Sequence, residues 1–593
     1  MIYEIPHCGS GLHEAGQVSG YRGSNPYLVK PTEAIECQNM DYSQLGIAKK
    51  ASGYGKMTDS ALDGAVTGVF YGKNTNGAKR IIAAGEKLYH HESGDTFTEI
   101  KTGLDSNKHY QVSFSSLNDL FLITNGRNFI QQWNGSAAST SDITGNSCPN
   151  RAAYLIEYWN RVFALNTRED DTSITITDTT IAFVDNDPSA DTITDSGSGF
   201  VAAGFVAGQV ILVSGTTNNN GYYTIDTVAA GTITLIATDE LTAESAGSSF
   251  TITKQDDCVE RVRWSKIGGT SGGPLYWGGP PGGGFADLVT RTSEAVNAGK
   301  VVGRNLALTK ENSLWTCAYT GDPNNPFVFD ILDDEVGNIA PHSLAGSKRE
   351  AYFLSENAIM KSDGTSKPVP ISSYKIENTL GNLNRENLEY AVGCYDEYER
   401  KYNLIVPLVG EDNSLWLTYS ENSGNWSKKE RAGNAMGIVR MGELTLNDIT
   451  WTLNEMDVSL NDPFWTGNRN EVFWGDYDGH VYWEGVINSH AGSAIDGYHV
   501  FRLVLPSPEV EKRILWIEAD FSFSGSYDIE WDVKADNAES WTSLPDMSMA
   551  ATTGWIPIDI SGKYFEIRVR NQNISEPFEL LRCRVEYETL GKR

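Results

Sequence analysis

Seven stretches of this chain share one cadence: a short run of alternating apolar and polar residues, a turn of Gly, Asn or Asp, and a second run ending near a Trp or Tyr. They are KRIIAAGEKLYHHESGDTFTEI from Lys79, YQVSFSSLNDLFLITNGRNFIQQWNG from Tyr110 and AAYLIEYWNRVFALN from Ala152, followed by NLALTKENSLWTCAY from Asn305, REAYFLSENAIMKSDG from Arg349, RKYNLIVPLVGEDNSLWLTYS from Arg400 and NEVFWGDYDGHVYWEG from Asn470. Alternation over runs this short is the period of half-buried strands, and the turn residues between them make hairpins. Repeats of roughly 40 residues, each worth three or four strands, match the blade period of a β-propeller. One blade cannot bury both of its faces alone, so blades stack and the aromatic residues fill the layers between them.

The cadence breaks in two places. Between residues 168 and 256 the composition turns to Thr, Ala, Gly, Asp and Ser, and the flanking pieces NRVFALNT and CVERVRWSKIG read as one blade. A small β-domain inserted at a loop tip is expected there. From residue 497 to 593 six longer alternating runs, from YHVFRLVLP to LLRCRVEYETLGKR, predict a C-terminal β-sandwich-like domain. The expected order is therefore an N-terminal arm and first strands at 1–64, propeller blades at 65–167, the insertion at 168–256, further blades at 257–496 and the sandwich at 497–593. Within the second set of blades, GGTSGGPLYWGGPPGGGF from Gly268 to Phe285 is expected to be a long irregular loop. The fold class is all-β.

Charge narrows the function. With 77 acidic residues against 47 basic ones the net charge is −30, so the surface as a whole repels nucleic acid and anionic membranes. The seven cysteines are scattered and never spaced as CxxC, which predicts free thiols in a protein made in a reducing cytosol, with no disulfide framework and no zinc site. No run approaches 18 apolar residues and the first residues lack the pattern of a secretory signal, so no membrane insertion and no classical export are expected.

Catalytic chemistry is hard to place. His90 and His91 are adjacent and point to opposite faces of a strand, and His342 and His480 sit in turn-like contexts. GxSxG, HExxH and phosphate-loop patterns do not occur. Two carboxylate groups merit weighing because glycosidases need only a pair at a set separation: Asp333, Asp334 and Glu335, and Asp476 with Asp478. In GDYDGHVY the aspartates flank a glycine between aromatic runs, which is hairpin-turn chemistry. SENSGNWS from Ser420 weakly resembles a sialidase Asp-box, a turn element that carries no catalysis. No catalytic residue, metal ligand or cofactor site is assigned.

Read in order, several segments resemble the tail nozzle (tail tubular, or DNA-stabilising tail hub) proteins of short-tailed bacteriophages. The opening AIECQNMDYSQLGIAKKASGY from Ala34 resembles the family's first segment; NRVFALNT, RVRWSKIG, SLWTCAYTGDPNNPFVF, DDEVGNIAPHS and EAYFLSENAIMKSDG follow its central blades; FEIRVRNQNISEPFELLRCRVEYETLGKR resembles its closing strands. The resemblance implies a non-enzymatic virion protein, made in the host cytoplasm, that forms a ring of six. It also implies a head-to-tail adaptor and tail fibres or tailspikes as partners, and transient, non-specific contact with genomic DNA in the lumen. Six subunits of −30 would carry −180, and carboxylates on the channel wall would let DNA slide without sticking. Candidate gate elements are the Gly-rich stretch, with Gly268, Gly273, Gly283 and Phe285, and the turn from Asp333 to Gly337, with Asp334 and Glu335. The insertion would contact tail fibres or a neighbouring subunit, or be inert decoration. Two rivals stand beside this expectation: a propeller glycosidase or depolymerase with two facing carboxylates, and a trimeric receptor-binding tail protein.

Overall fold

The computed structural model describes residues 1–14, 30–58, 60–92, 96–143, 147–268, 276–279, 282–441, 463–467, 469–485, 487–507, 509–536 and 538–591. The chain is all-β: a β-propeller core, an inserted β-domain and a β-sandwich. It divides into two compact units, one of residues 1–121, 133–140 and 297–593, the other of residues 122–132 and 141–296.

Each of the seven repeats falls on its own antiparallel sheet, and among the described residues six of these sheets are four-stranded while the sheet of the third repeat has nine strands, because it runs on into the insertion. Blade one is Val66–Asn74, Gly77–Ala84, Lys87–His91 and Phe97–Lys101. Blade two runs from Ser113–Leu117 to Ser141–Asp142, and blade four from Val296–Val302 to Phe327–Asp333. Blade five opens on Ala345–Gly346 and blade six on Val392–Asp396. Blade seven takes three strands from its own region, Ala435–Val439, Glu471–Gly475 and Val481–Glu484, and its outermost strand, Tyr54–Lys56, from the start of the chain.

Within the larger unit, blades pack in series through aromatic and β-branched side chains. Val392, Ile405 and Trp416 of blade six meet Val472 and Trp474 of blade seven, whose Phe473 and Trp483 lie in one cluster with Val66 and Ile82 of blade one. Each fully buried side chain of this size contributes about 1.5–3 kcal/mol.

The sandwich draws on both ends of the chain. One sheet orders Met40–Asp41, Ala48–Lys50, Glu579–Gly591, Glu511–Phe521 and Thr553–Gly562, with Ile2–Ile5 also on Glu579–Gly591. The other orders Ala34–Gln38, Gly497–Leu503, Phe565–Asn571, Asp528–Ala535 and Thr542–Ser543. The described strands among the first fifty residues thus form no separate arm. These short strands, too small to stand alone, find partners some 500 residues away, as in Ile2↔Glu586 and Ala48↔Leu580. The sandwich core of Phe501, Ile517, Trp531, Ile567 and Val585 runs on into Tyr352, Tyr402 and Trp426 of blades five and six.

In the smaller unit, blade three pairs Arg151–Tyr158, Arg161–Asp178, Phe250–Trp264 and Gly284–Asp287. Its two middle strands, 18 and 15 residues long, do not stop at the blade edge but continue as a ribbon into the inserted domain. The insertion closes around Ile181, Phe183, Ile193, Phe200, Ile211, Ile233, Phe250 and Ile252, a core of its own.

Candidate channel and gate loops

The Gly-rich stretch is not one irregular loop. Its N-terminal end is held by backbone bonds from the Lys266 N–H to the Tyr276 oxygen (2.8 Å) and from the Gly268 N–H to the Asn160 oxygen (3.1 Å). Residues 269–275, with Gly273, and 280–281 lie outside the described residues. Its C-terminal end is a strand, Gly284–Asp287, in register with the blade: Trp264↔Gly284, Arg263↔Phe285 and Arg261↔Asp287. Glycine is required here by close approach. A Cβ on Gly283 would lie 2.4 Å from the Gly278 oxygen, and one on Gly284 would lie 2.9 Å from the Trp264 ring. Phe285 is half exposed, with the Arg261 guanidinium 4.0 Å from its ring centre, and Arg261 also forks onto Asp287 at 2.8 and 2.9 Å. The physical reason for the difference from the expected loop is this alternation of ring and carboxylate opposite two arginines, which outweighs the loop signal of the glycines. Gly283 and Phe285 therefore belong to the blade edge.

The acidic turn of the larger unit is built in another way. Asp333 ends the strand Phe327–Asp333 and is buried; its Oδ1 accepts the N–H groups of Glu335 (2.9 Å) and Val336 (3.1 Å), and Lys367 Nζ lies 3.3 Å from Oδ2. A Cβ on Gly337 would come within 2.3 Å of the Lys310 oxygen, so the turn is pressed onto the preceding hairpin. Asp334 and Glu335 are exposed. Asp333 forms the turn, and the other two acids place negative charge on its surface. The Gly-rich segment and this turn belong to different units.

The remaining sequence candidates have structural roles. Asp476 Oδ1 accepts the N–H groups of Asp478 (2.9 Å) and His480 (2.8 Å), and Oδ2 accepts the Tyr482 hydroxyl (2.9 Å), closing the hairpin of blade seven. Trp426, in the segment resembling an Asp-box, is fully buried and donates Nε1–H to the Ile371 oxygen at 3.1 Å. His90 tilts against Trp133 while His91 is buried beside Arg80, as neighbours on one strand must diverge. Among the described residues no group of three His, Cys, Asp or Glu side chains is placed to hold a metal ion, and no helix is long and apolar enough to cross a membrane.

Sequence reasoning missed a buried ionic cluster between blades six and seven. Arg431, with its side chain fully buried, donates to Glu484 Oε2 (3.3 Å) and shares a hydrogen bond with His490 Nε2 (2.9 Å); Lys429 Nζ reaches Glu484 Oε1 at 3.0 Å. The two cations hold the buried Glu484 carboxyl down to about 2 against the opposing effect of its burial, and burial, assisted by Arg431, pushes His490 down to about 3. SKKER at Ser427 carries the charges but nothing that tells which of them is buried.

No family model matches the chain and no curated protein matches it. Solved structures similar to it include the computationally designed Ika8 protein (8% identity, TM-score 0.34, covering 72% of this chain and 99% of that one). BamB from Moraxella catarrhalis is similar at 8% identity with a TM-score of 0.33, over 73% of this chain and 99% of that one. The WD40 β-propeller domain of Doa1 follows at 10% identity and a TM-score of 0.31, over 73% and 96%.

Proposed function

We propose that this protein is the ring-forming subunit of a phage tail nozzle, a conduit that retains the genome in the virion and passes DNA during ejection. The observation that carries the reading is the ordered resemblance from Ala34 to the C-terminus. Its opening and closing segments, more than 500 residues apart, are neighbours in one sandwich, where Ala48–Lys50 pairs with Glu579–Gly591. Segments that resemble one family at both ends and also form one element are read more readily as a shared scaffold than as scattered coincidence. The acid excess supports a conduit through which phosphates slide, and exposed acids such as Asp334 and Glu335 are of the kind that would act on a lumen wall. An adaptor on one side and fibres or tailspikes on the other are the partners this reading implies.

Native mass measurement with projection imaging tests the proposal. Six copies of 65.1 kDa, about 391 kDa, in a ring with a central hole are expected. A trimer with exposed glycan-binding aromatics would favour the receptor-binding reading, and glycan cleavage abolished by neutralising one acid would favour the hydrolase; either would overturn the conduit.

A further inference from the structure

Lys50 ends the short strand Ala48–Lys50 of one sandwich sheet, and its side chain crosses to the other sheet. The path is cleared by Gly497, where a Cβ would lie 2.8 Å from Lys50 Cγ; Gly497 pairs directly with Asn571, the last residue of Phe565–Asn571. Lys50 is 3% exposed and Asn571 1%. Lys50 Nζ lies 2.7 Å from Asn571 Oδ1, and also donates to the backbone oxygens of Asn573 (3.1 Å) and Glu576 (3.3 Å). On the far side of the amide, Asn571 Nδ2 donates to Glu576 Oε2 at 2.9 Å. The Asn573 N–H donates to Asn571 Oδ1 at 3.1 Å.

A buried amine, the amide it touches and a carboxylate on the amide's nitrogen form a complete set for amide exchange. We propose that Lys50 and Asn571 join in an intramolecular isopeptide bond that staples the two sheets of the sandwich, with Glu576 carrying the proton. The neutral Lys50 amine attacks Asn571 Cγ, and the charge developing on Oδ1 is met by the Asn573 N–H. The Nζ–Cγ bond forms and the Cγ–Nδ2 bond breaks. One amine proton passes through the Glu576 carboxylate to Nδ2, which leaves as ammonia, while the other stays on the new amide nitrogen. Nothing is oxidised or reduced, and no co-reactant is needed. Burial pushes the Lys50 amine down to about 8 against the pull of Glu576 and Asp496, so a useful fraction is neutral near pH 7. The exclusion of water favours aminolysis over hydrolysis of the amide.

Intact-mass measurement and tryptic mapping of the full chain test this. The wild-type protein is expected to weigh one ammonia less than its sequence encodes, to resist trypsin after Lys50, and to yield a branched peptide joining Lys50 to Asn571. Asn571→Ala should restore the encoded mass. Glu576→Gln, which keeps a hydrogen-bond acceptor beside the amide, should leave a folded chain with a free Lys50. A folded wild-type protein of encoded mass that is cut after Lys50 overturns the cross-link and leaves Lys50 as a hydrogen-bonding plug. Loss of ammonia undiminished in Glu576→Gln overturns the role of Glu576.

Discussion

The Arg431 guanidinium lies 4.7 Å from the centre of the Tyr54 ring, so a residue at the end of blade six grips the strand that completes blade seven. Arg431 also reaches the Ser52 oxygen (3.4 Å), and Tyr54 stacks on His490 at 4.9 Å. The closing strand is three residues long and has too few ladder bonds to hold itself. Side chains supply the rest.

Arg431→Ala leaves Glu484 buried with Lys429 as its remaining cation, a loss of about 3–5 kcal/mol for a broken buried pair. Arg431→Lys should recover little, because a point charge cannot both stack on Tyr54 and fork toward Glu484 and His490. Urea unfolding gives the energy. Limited proteolysis should show earlier cleavage near residues 51–58 in the alanine variant; equal protection of that segment would mean the clasp does not hold the strand.

Stability should fall in mild acid. Burial holds His499 at about 3 in the fold, where its Nδ1 meets the Tyr42 hydroxyl at 2.9 Å, against about 6.5 in an unfolded chain. Below pH 6.5 the unfolded state binds a proton that the folded state refuses, so each pH unit between about 6.5 and 3 costs about 1.4 kcal/mol for this residue. His490 acts with the same sign, and Glu484, depressed to about 2, adds its own loss below its ordinary range of about 4.3. The urea midpoint is expected to drop between pH 7 and pH 5. A flat profile would refute the assignment of neutral buried histidines.

Asp333 and Asp334 are adjacent carboxylates with opposite predicted effects. Asp333→Ala strands two N–H groups and should cost about 1–3 kcal/mol, whereas Asp334→Ala should stay within about 0.5 kcal/mol of wild type. Chemical denaturation of both variants separates a turn-forming acid from a surface one.

Much of the propeller was legible because hairpins are local: each repeat holds two or more neighbouring strands of its blade, and the turn between them lies within the same twenty residues. The insertion was legible as a change of composition, but its expected edges at 168 and 256 fall inside strands that run from Arg161 to Asp178 and from Phe250 to Trp264. Alternation does not stop where one core ends and another begins. Pairings across hundreds of residues left no local trace: Tyr54–Lys56 and Ile2–Ile5 are too short to announce a partner. Nor did any sequence feature mark Lys50 as buried, since Lys49 beside it, in a salt bridge to Glu579 at 3.5 Å, is one-quarter exposed.

The two ribbon strands make the insertion separable. Register runs unbroken from Thr167↔Cys258 to Asp171↔Lys254, then shifts before Thr175↔Thr253. Replacing residues 172–253 with a two-residue Asn-Gly turn should leave blade three intact, with Arg168 still forked on Asp257 at 2.5 and 2.6 Å. Calorimetry should show the main transition unchanged within a few degrees; its loss would mean that the inserted core supports the blade.

The sharing of the sandwich between both ends of the chain has a consequence for the timing of synthesis. Strands 2–5, 34–38, 40–41 and 48–50 leave the ribosome well before their partners from 497 onward are translated. At about 5–20 residues per second the opening segment waits roughly half a minute or more with its apolar side chains uncovered, while the central blades emerge and fold. The sandwich is therefore made only by chains translated through the strand Glu579–Gly591. A product that stops short of these strands cannot present it, so any contact made through the sandwich would select for chains that carry them.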